Sequence, residues 1–238
     1  MPIALISTFN YRGLLVFARQ LRKAGWTLIA TDGTWQKLTK HKIEALRVSD
    51  ITHTPPLCGG RVKTLHPTIF GGVLVEPGVH IDLPSRILPV IDLLVLNCYP
   101  FGQLVKEGRP PPECREAIDI GGPALVYAAA KSNRVTVAMD MRDYQQVWEA
   151  LRDKRHIPSE LRKALLLKAL LWTAAYQVAI ANWHVNQAGV QFPEVLLMAL
   201  PLVEPLRYGE NPHQSAALYG NNMSPVQKLD EKKALGLT

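Results

Sequence analysis

Over its first hundred residues the chain alternates short aliphatic runs with amphipathic stretches. Ile3 to Ile6 and Thr27 to Ala30 read as buried β-strands, being short, uniformly apolar and bounded by polar turns. Between them Leu14, Phe17, Ala18 and Leu21 recur at helical spacing, with Arg19, Arg22 and Lys23 on the other face and Gly25 as the stop. The turn Thr31-Asp32-Gly33-Thr34 opens a short helix ending near Lys40, and Ala45 to Val48 predicts a third strand. Residues 49–67 are rich in Thr, Pro and Gly and have no period, which predicts a long irregular loop of functional importance. Gly72 to Val75 and Ile91 to Leu96 read as further buried strands, and Val135 to Met139 as another. Ala124 to Lys131 is helical behind the Gly-rich turn Asp119-Ile120-Gly121-Gly122-Pro123, a geometry suited to anions. Tyr144 to Lys154 predicts a helix, and Ser159 to Gln187 one long or kinked helix packing away from the sheet. From Phe192 onward the chain is Pro-rich and reads as irregular.

This alternation predicts an α/β fold, a parallel sheet flanked by helices with extra helices toward the C-terminus. Residues 1–190 are expected to form that domain and residues 191–238 an irregular tail. In open parallel sheets ligands bind beyond the carboxyl ends of the strands, so polar residues there draw attention.

Composition narrows the class. With 238 residues and 47% hydrophobic content, the chain can bury the core of one large domain or two small ones. The longest apolar stretch, Ala164 to Trp183, is interrupted by Lys168, Thr173, Gln177 and Asn182, which predicts a soluble helix and no membrane span. The start, MPIALIST, has no basic region and turns polar too early for a signal peptide. Cys58, Cys98 and Cys114 form no C-x-x-C pair, which argues against a disulfide scaffold or zinc site and for a cytoplasmic protein. The net charge of +7 favours anionic partners. It is dispersed, without a run of five basic residues, so it points to a small anionic ligand and not to nucleic acid.

Several polar groups lie where chemistry is expected. Arg61, Lys63, Thr64 and His66 place two cations, a hydroxyl and an imidazole on a loop stiffened by Pro67, able to hold an anion or a developing oxyanion; a plain basic surface loop is the alternative. Asn97 and Tyr99 follow a strand, and alternation turns them to one side with Cys98 opposite, unless the segment is merely a turn. Asp119 and Lys131 could pair or flank a reacting group, or be structural. No second His or Cys accompanies His66 at ligand spacing, so no metal is expected.

These strings occur in the order and wording of one family. GRVKTLHPTIFGG, DLLVLNCYPF, IDIGGPALVYAAAKSNRVTV, LKALLWTAAYQVAIANW and LRYGENPHQSAALY resemble successive landmarks of the IMP cyclohydrolase domain of the bifunctional purine-biosynthesis protein. The resemblance implies a methylglyoxal-synthase-like fold, no cofactor, a homodimer, a formyltransferase domain or separate partner, and closure of the purine six-membered ring. By the same resemblance Lys63 and Tyr99 would polarise or orient the reacting groups, Asp119 would act on the carboxamide and Lys131 would donate a proton. Backbone groups near Thr64, Asn97 and Ile120 would line the base, and Arg61, His66, Gly121 and Gly122 would add further substrate contacts. Ser7, Arg12, Thr31, Gly33 and Thr34 would line the phosphate end.

The chain departs from the family at that phosphate end. The family turn Ser-x-Ser-Asp-Lys-Thr-Gly reads Ser7-Thr8-Phe9-Asn10-Tyr11-Arg12-Gly13 here, with Tyr11 at the lysine position. Asp32 stands where the second phosphate loop has its first glycine, and Tyr127, Trp172 and Gln177 replace common polar residues elsewhere. Ring closure on the usual nucleotide or on an analogue with a changed phosphate end is the leading expectation. A non-catalytic nucleotide-binding or regulatory paralogue is the alternative, with a phosphate-eliminating enzyme of the same fold a remote third.

Overall fold

The computed structural model describes residues 1–76, 78–79, 89–209, 211 and 213–220, and the chain divides into two units, Met1–Gly189 and Val190–Thr238. In the first unit five strands, β1 (Ile3–Thr8), β2 (Thr27–Ala30), β3 (Leu46–Arg47), β4 (Ile91–Asn97) and β5 (Thr136–Ala138), line up in the order β3-β2-β1-β4-β5. Every pairing is parallel. The helices are α1 (Leu14–Lys23), α2 (Asp32–Lys40), α3 (Val48–Thr52), α4 (Pro67–Leu74), α5 (Phe101–Lys106), α6 (Pro111–Glu116), α7 (Gly121–Ser132), α8 (Met141–Lys154) and α9 (Ser159–Gln187).

Alternate strand residues feed two cores. Ala4, Ile6, Leu28, Leu93 and Val95 pack with Leu14, Phe17 and Leu21 of α1 and with Tyr144 and Val147 of α8. Leu5, Ile29, Leu94 and Leu96 pack on the other face with Ile69 and Val73 of α4, Leu125 and Val126 of α7, and Leu166 and Ala169 of α9. A sheet covered on both faces leaves no polar side, and hence its strands read as unbroken apolar runs.

Four expectations are corrected. Gly72 to Val75 is helical, not a strand: His66 accepts the Thr68 N–H at 3.2 Å and Pro67 follows in the first turn, so a helix starts there. Gly72 then passes so close to Pro89 that a Cβ would collide with its carbonyl oxygen. The third strand is only Leu46–Arg47, because α3 takes over at Val48 and shortens the long loop. The long helix α9 packs onto the structure around β5 and α7, burying Leu165, Leu166 and Ala169, instead of packing away from the sheet. By length and composition alone α9 could cross a membrane. Lys168, which interrupts its apolar run, is ion-paired at 2.6 Å with both Asp140 and the buried Asp143, tying α9 to the start of α8. Finally, the tail from Phe192 is not wholly irregular. In the second unit β6 (Leu202–Leu206) and β7 (Ala216–Tyr219) pair antiparallel, with Gly209 N–H bonded to the Gln214 carbonyl at 2.8 Å between them.

Candidate functional site

The chain crosses from one side of the sheet to the other between β1 and β4, and a crevice forms beyond the carboxyl ends of strands that diverge in this way. Ser7 and Thr8 end β1, opposite Leu96 and Asn97 of β4. The Asn97 carboxamide does not point freely at a ligand. Its Oδ1 accepts the Phe9 and Asn10 N–H groups at 2.7 and 2.8 Å, and its Nδ2 donates to the Asn10 carbonyl at 3.0 Å. Tyr99 meets the same loop, its exposed ring 4.6 Å from that of Phe9. Asn97 and Tyr99 thus both meet the loop after β1, which the Asn97 carboxamide holds.

Beside them lies the start of α2. Thr31 precedes it, and the buried Thr34 hydroxyl accepts the Thr8 N–H and donates to the Thr8 carbonyl, both at 3.3 Å, tying α2 to the end of β1. Tyr11 reaches over this turn: its hydroxyl would lie 3.8 Å from a Cβ on Gly33, and Lys37 Nζ sits 5.5 Å from its ring centroid. Asp32 occupies the first turn of α2, where the unpaired N–H groups and the helix dipole favour an anion. Arg12 is exposed on the loop between β1 and α1.

The segment from Leu57 to Val62 is pinched by a pair of hydrogen bonds between those two residues, 3.0 and 3.2 Å long, around the left-handed residues Cys58, Gly59 and Gly60. A Cβ on Gly60 would lie 3.0 Å from Lys63 Cε, so glycine at this position leaves room for the lysine chain. Lys63 itself is exposed. Arg61 is turned to Glu116 of α6 at 2.6 Å, which raises the guanidinium pKa and lowers that of the carboxyl, chiefly through their hydrogen bonds. Arg61 and His66, expected as ligand groups, serve here also as an ion-pair partner and a helix cap. Thr64 is buried and abuts the start of α7, its Oγ1 only 2.8 Å from where a Cβ on Gly121 would lie.

At that helix start Asp119 Oδ1 accepts the Gly122 N–H at 3.0 Å. Cys98 lies against the same carboxylate, and burial, followed by the Asp119 charge and hydrogen bond, pushes its thiol far up in pKa. Ile120, next in the chain, is exposed. Gly122 has no room for a side chain: a Cβ would lie 2.6 Å from Cys98 Sγ and 3.1 Å from Asp119 Oδ2. Gly122→Ala is expected to lower stability by about 1–3 kcal/mol through overpacking. Adding Cys98→Ala should recover most of it; equal melting temperatures for the wild type and the single variant would contradict the close contact.

Lys131 does not join this group. It lies in the last turn of α7, ten residues beyond the helix start at Gly121, and at the helical rise that is about 15 Å. Its neighbour Arg134 bonds Asp92 and the Ile91 carbonyl, both at 2.9 Å, at the amino end of β4. Asp119 and Lys131 therefore sit at opposite ends of α7 and do not pair with each other. Conversely, two residues beside Asp119 escaped notice in the sequence. Cys98 read only as a strand residue facing away, and Tyr176 as part of an apolar helix. The Tyr176 hydroxyl in fact contacts the Asp119 main chain at 2.9 Å. A tyrosine on a buried helix face always raises the question of what its hydroxyl bonds, and that was the available signal. Among the described residues no group of three His, Cys, Asp or Glu side chains gathers as metal ligands.

Comparison with known proteins agrees with this architecture. Residues 13–124 match the model of the MGS-like domain, and residues 128–236 that of the AICARFT/IMPCHase bienzyme. The bifunctional purine biosynthesis protein PurH of Myxococcus xanthus (strain DK1622) is 41% identical over 229 residues, covering 94% of this chain and 45% of the relative. That of Persephonella marina (strain DSM 14350 / EX-H1) is 41% identical over 230 residues, covering 94% of this chain and 44% of the relative. The chain thus spans less than half the length of these relatives. Among solved structures, that of ForH superposes with a TM-score of 0.66 at 31% identity, covering 77% of this chain and 98% of the other.

Proposed function

This chain belongs to the AICARFT/IMPCHase bienzyme family, whose MGS-like domain it carries, and from that premise we propose that it closes the six-membered ring of a purine. The carboxamide nitrogen of 5-formamidoimidazole-4-carboxamide ribotide, or of a close analogue, attacks the formyl carbon. The tetrahedral adduct then loses water to leave IMP or its analogue. The observation that carries the reading is the convergence of Thr64, Asp119, Gly121 and Gly122 at the start of α7, next to the end of β4 and the Lys63 segment. Lys63 supplies a fixed cation for the developing oxyanion, Tyr99 orients the formyl group, and the Asp119 carboxylate accepts a proton from the attacking amide. With Lys131 at the other end of α7, Lys63 is the charged proton donor that remains on this segment.

At the phosphate end the proposal is an altered ligand. Tyr11 lies across the α2 turn and Asp32 puts the protein's own carboxylate at the helix start, both unfavourable to a phosphate dianion. The protein is further proposed to work in the cytoplasm as a homodimer, receiving its formylated substrate from a formyltransferase, attached or separate. The exposed Leu167, Leu171 and Trp172 of α9 support a second copy covering that helix, since neighbouring exposed apolar side chains call for cover. The second reading, a nucleotide-binding module without catalysis, is favoured by one observation: Asn97, His66 and Asp119 all make bonds that hold the scaffold.

Incubation with the formamido ribotide and measurement of IMP separates the two readings. Ring closure is expected, and binding without turnover would instead support the module. The reaction is addition and dehydration alone, so activity should survive a chelator. Loss of activity that a divalent ion restores would overturn the metal-free mechanism.

A further inference from the structure

Asp119 is held from behind by one hydroxyl. The phenolic oxygen of Tyr176 accepts the Asp119 N–H at 2.9 Å and donates its own proton to the Ala117 carbonyl at 3.0 Å, from 57 residues further along the chain. Both hydrogen-bonding capacities of the hydroxyl are thus spent on main-chain groups two residues apart, in the turn that joins α6 to α7. The ring behind it is immobilised. It is buried, stacked on Trp172 with centroids 5.0 Å apart and edge-on to Phe101 at 6.1 Å. Burial also lifts the phenol to a pKa of about 12, so the donated proton persists through neutral pH. On its open side the same turn presents the Asp119 carboxylate, with Oδ1 held by the Gly122 N–H and the Cys98 thiol alongside.

We infer that Tyr176 is a positioning residue for Asp119: its hydroxyl fixes the Ala117–Asp119 turn and so aims the carboxylate at the crevice. This rests on the ring-closing role proposed for Asp119. A packing role alone would need the ring, which clusters with Phe101 and Trp183, and not the hydroxyl. The hydroxyl also has a clear consequence for geometry. Without it the Asp119 N–H and Ala117 carbonyl lose their partner, the turn must shift to find water, and the carboxylate moves with it.

The test compares wild type, Tyr176→Phe, Asp119→Asn and the double variant on the formamido ribotide. Tyr176→Phe should lower kcat about ten- to hundredfold, the scale of a misplaced reacting group, with KM changed by less than about threefold. In the Asp119→Asn background the same change should have little further effect. An unchanged kcat, or an equal loss in both backgrounds, overturns the inference. Trp172→Phe, which disturbs the same ring but leaves the hydroxyl, should keep kcat; if it is as damaging as Tyr176→Phe, packing explains the effect and the inference fails. Amide hydrogen exchange is read in parallel. Tyr176→Phe should speed exchange at Asp119 by about tenfold or more while leaving Val137 in the sheet protected. Should wild type show no ring closure at all, the proposed function fails by itself, and the exchange rate at Asp119 still decides whether Tyr176 holds the turn.

Discussion

Lys63→Ala is expected to lower the turnover of ring closure by about a hundred- to a thousandfold, the usual worth of one group aimed at a developing oxyanion, roughly 2.7–4 kcal/mol. The side chain is exposed and runs past Gly60, so folding should hardly notice the loss. Stability should stay within about 0.5 kcal/mol of wild type, as for ordinary surface substitutions. This makes Lys63 a cleaner probe than Asp119, whose removal would also strip the start of α7 of the acceptor for the Gly122 N–H. For Asp119 the informative change is Asn, which keeps an oxygen acceptor and removes the charge. Steady-state kinetics beside thermal melts measures both effects. Lys63→Ala with wild-type turnover would remove the lysine from the mechanism.

The second large effect is at the phosphate end. Losing one cation and gaining one anion should together cost about 2–4 kcal/mol of phosphate binding, since charge-assisted hydrogen bonds contribute about 1.5–3 kcal/mol each. That corresponds to roughly thirtyfold to a thousandfold in affinity. Asp32→Gly combined with Tyr11→Lys is therefore expected to tighten IMP binding by that factor, while inosine changes little. Lys37 lies over the Tyr11 ring, so a lysine at position 11 would stand near a second cation. The regained affinity should then fall steeply with added salt, as an ionic contact does. Calorimetric titration of IMP and inosine into both proteins is the measurement. Arg12, exposed on the same loop, is the residue that could already supply the missing charge. If wild type prefers IMP to inosine strongly and the double variant binds no better, the altered-ligand proposal is wrong.

The local grammar of this protein was legible from its residues. Strands β1, β2, β4 and β5 read as apolar runs because both faces of the sheet are buried, and α1 declared itself by a clean polar face. The motif strings identified the family, since residue identity and order need no coordinates. What the pattern missed locally was α4, where the apolar Gly-Gly-Val-Leu segment suits a strand as well as a helix, and the helix cap of His66 decides. The hairpin of β6 and β7 was lost among prolines.

Which polar side chains meet was a matter for the tertiary structure. Arg61 looked free until α6 brought Glu116 to it, 55 residues away in sequence. Asn97 looked like a ligand group until the neighbouring β1 placed Phe9 and Asn10 within its reach. Lys131 and Asp119 are near in sequence but separated by about 15 Å of rigid helix. Tyr176 and Asp119 are distant in sequence, yet they touch because α9 returns across the start of α7. Periodicity reports how each residue is buried relative to its own element. Hydrogen-bond partners depend on strand order and helix length, which are set by the packing of elements far apart in the chain.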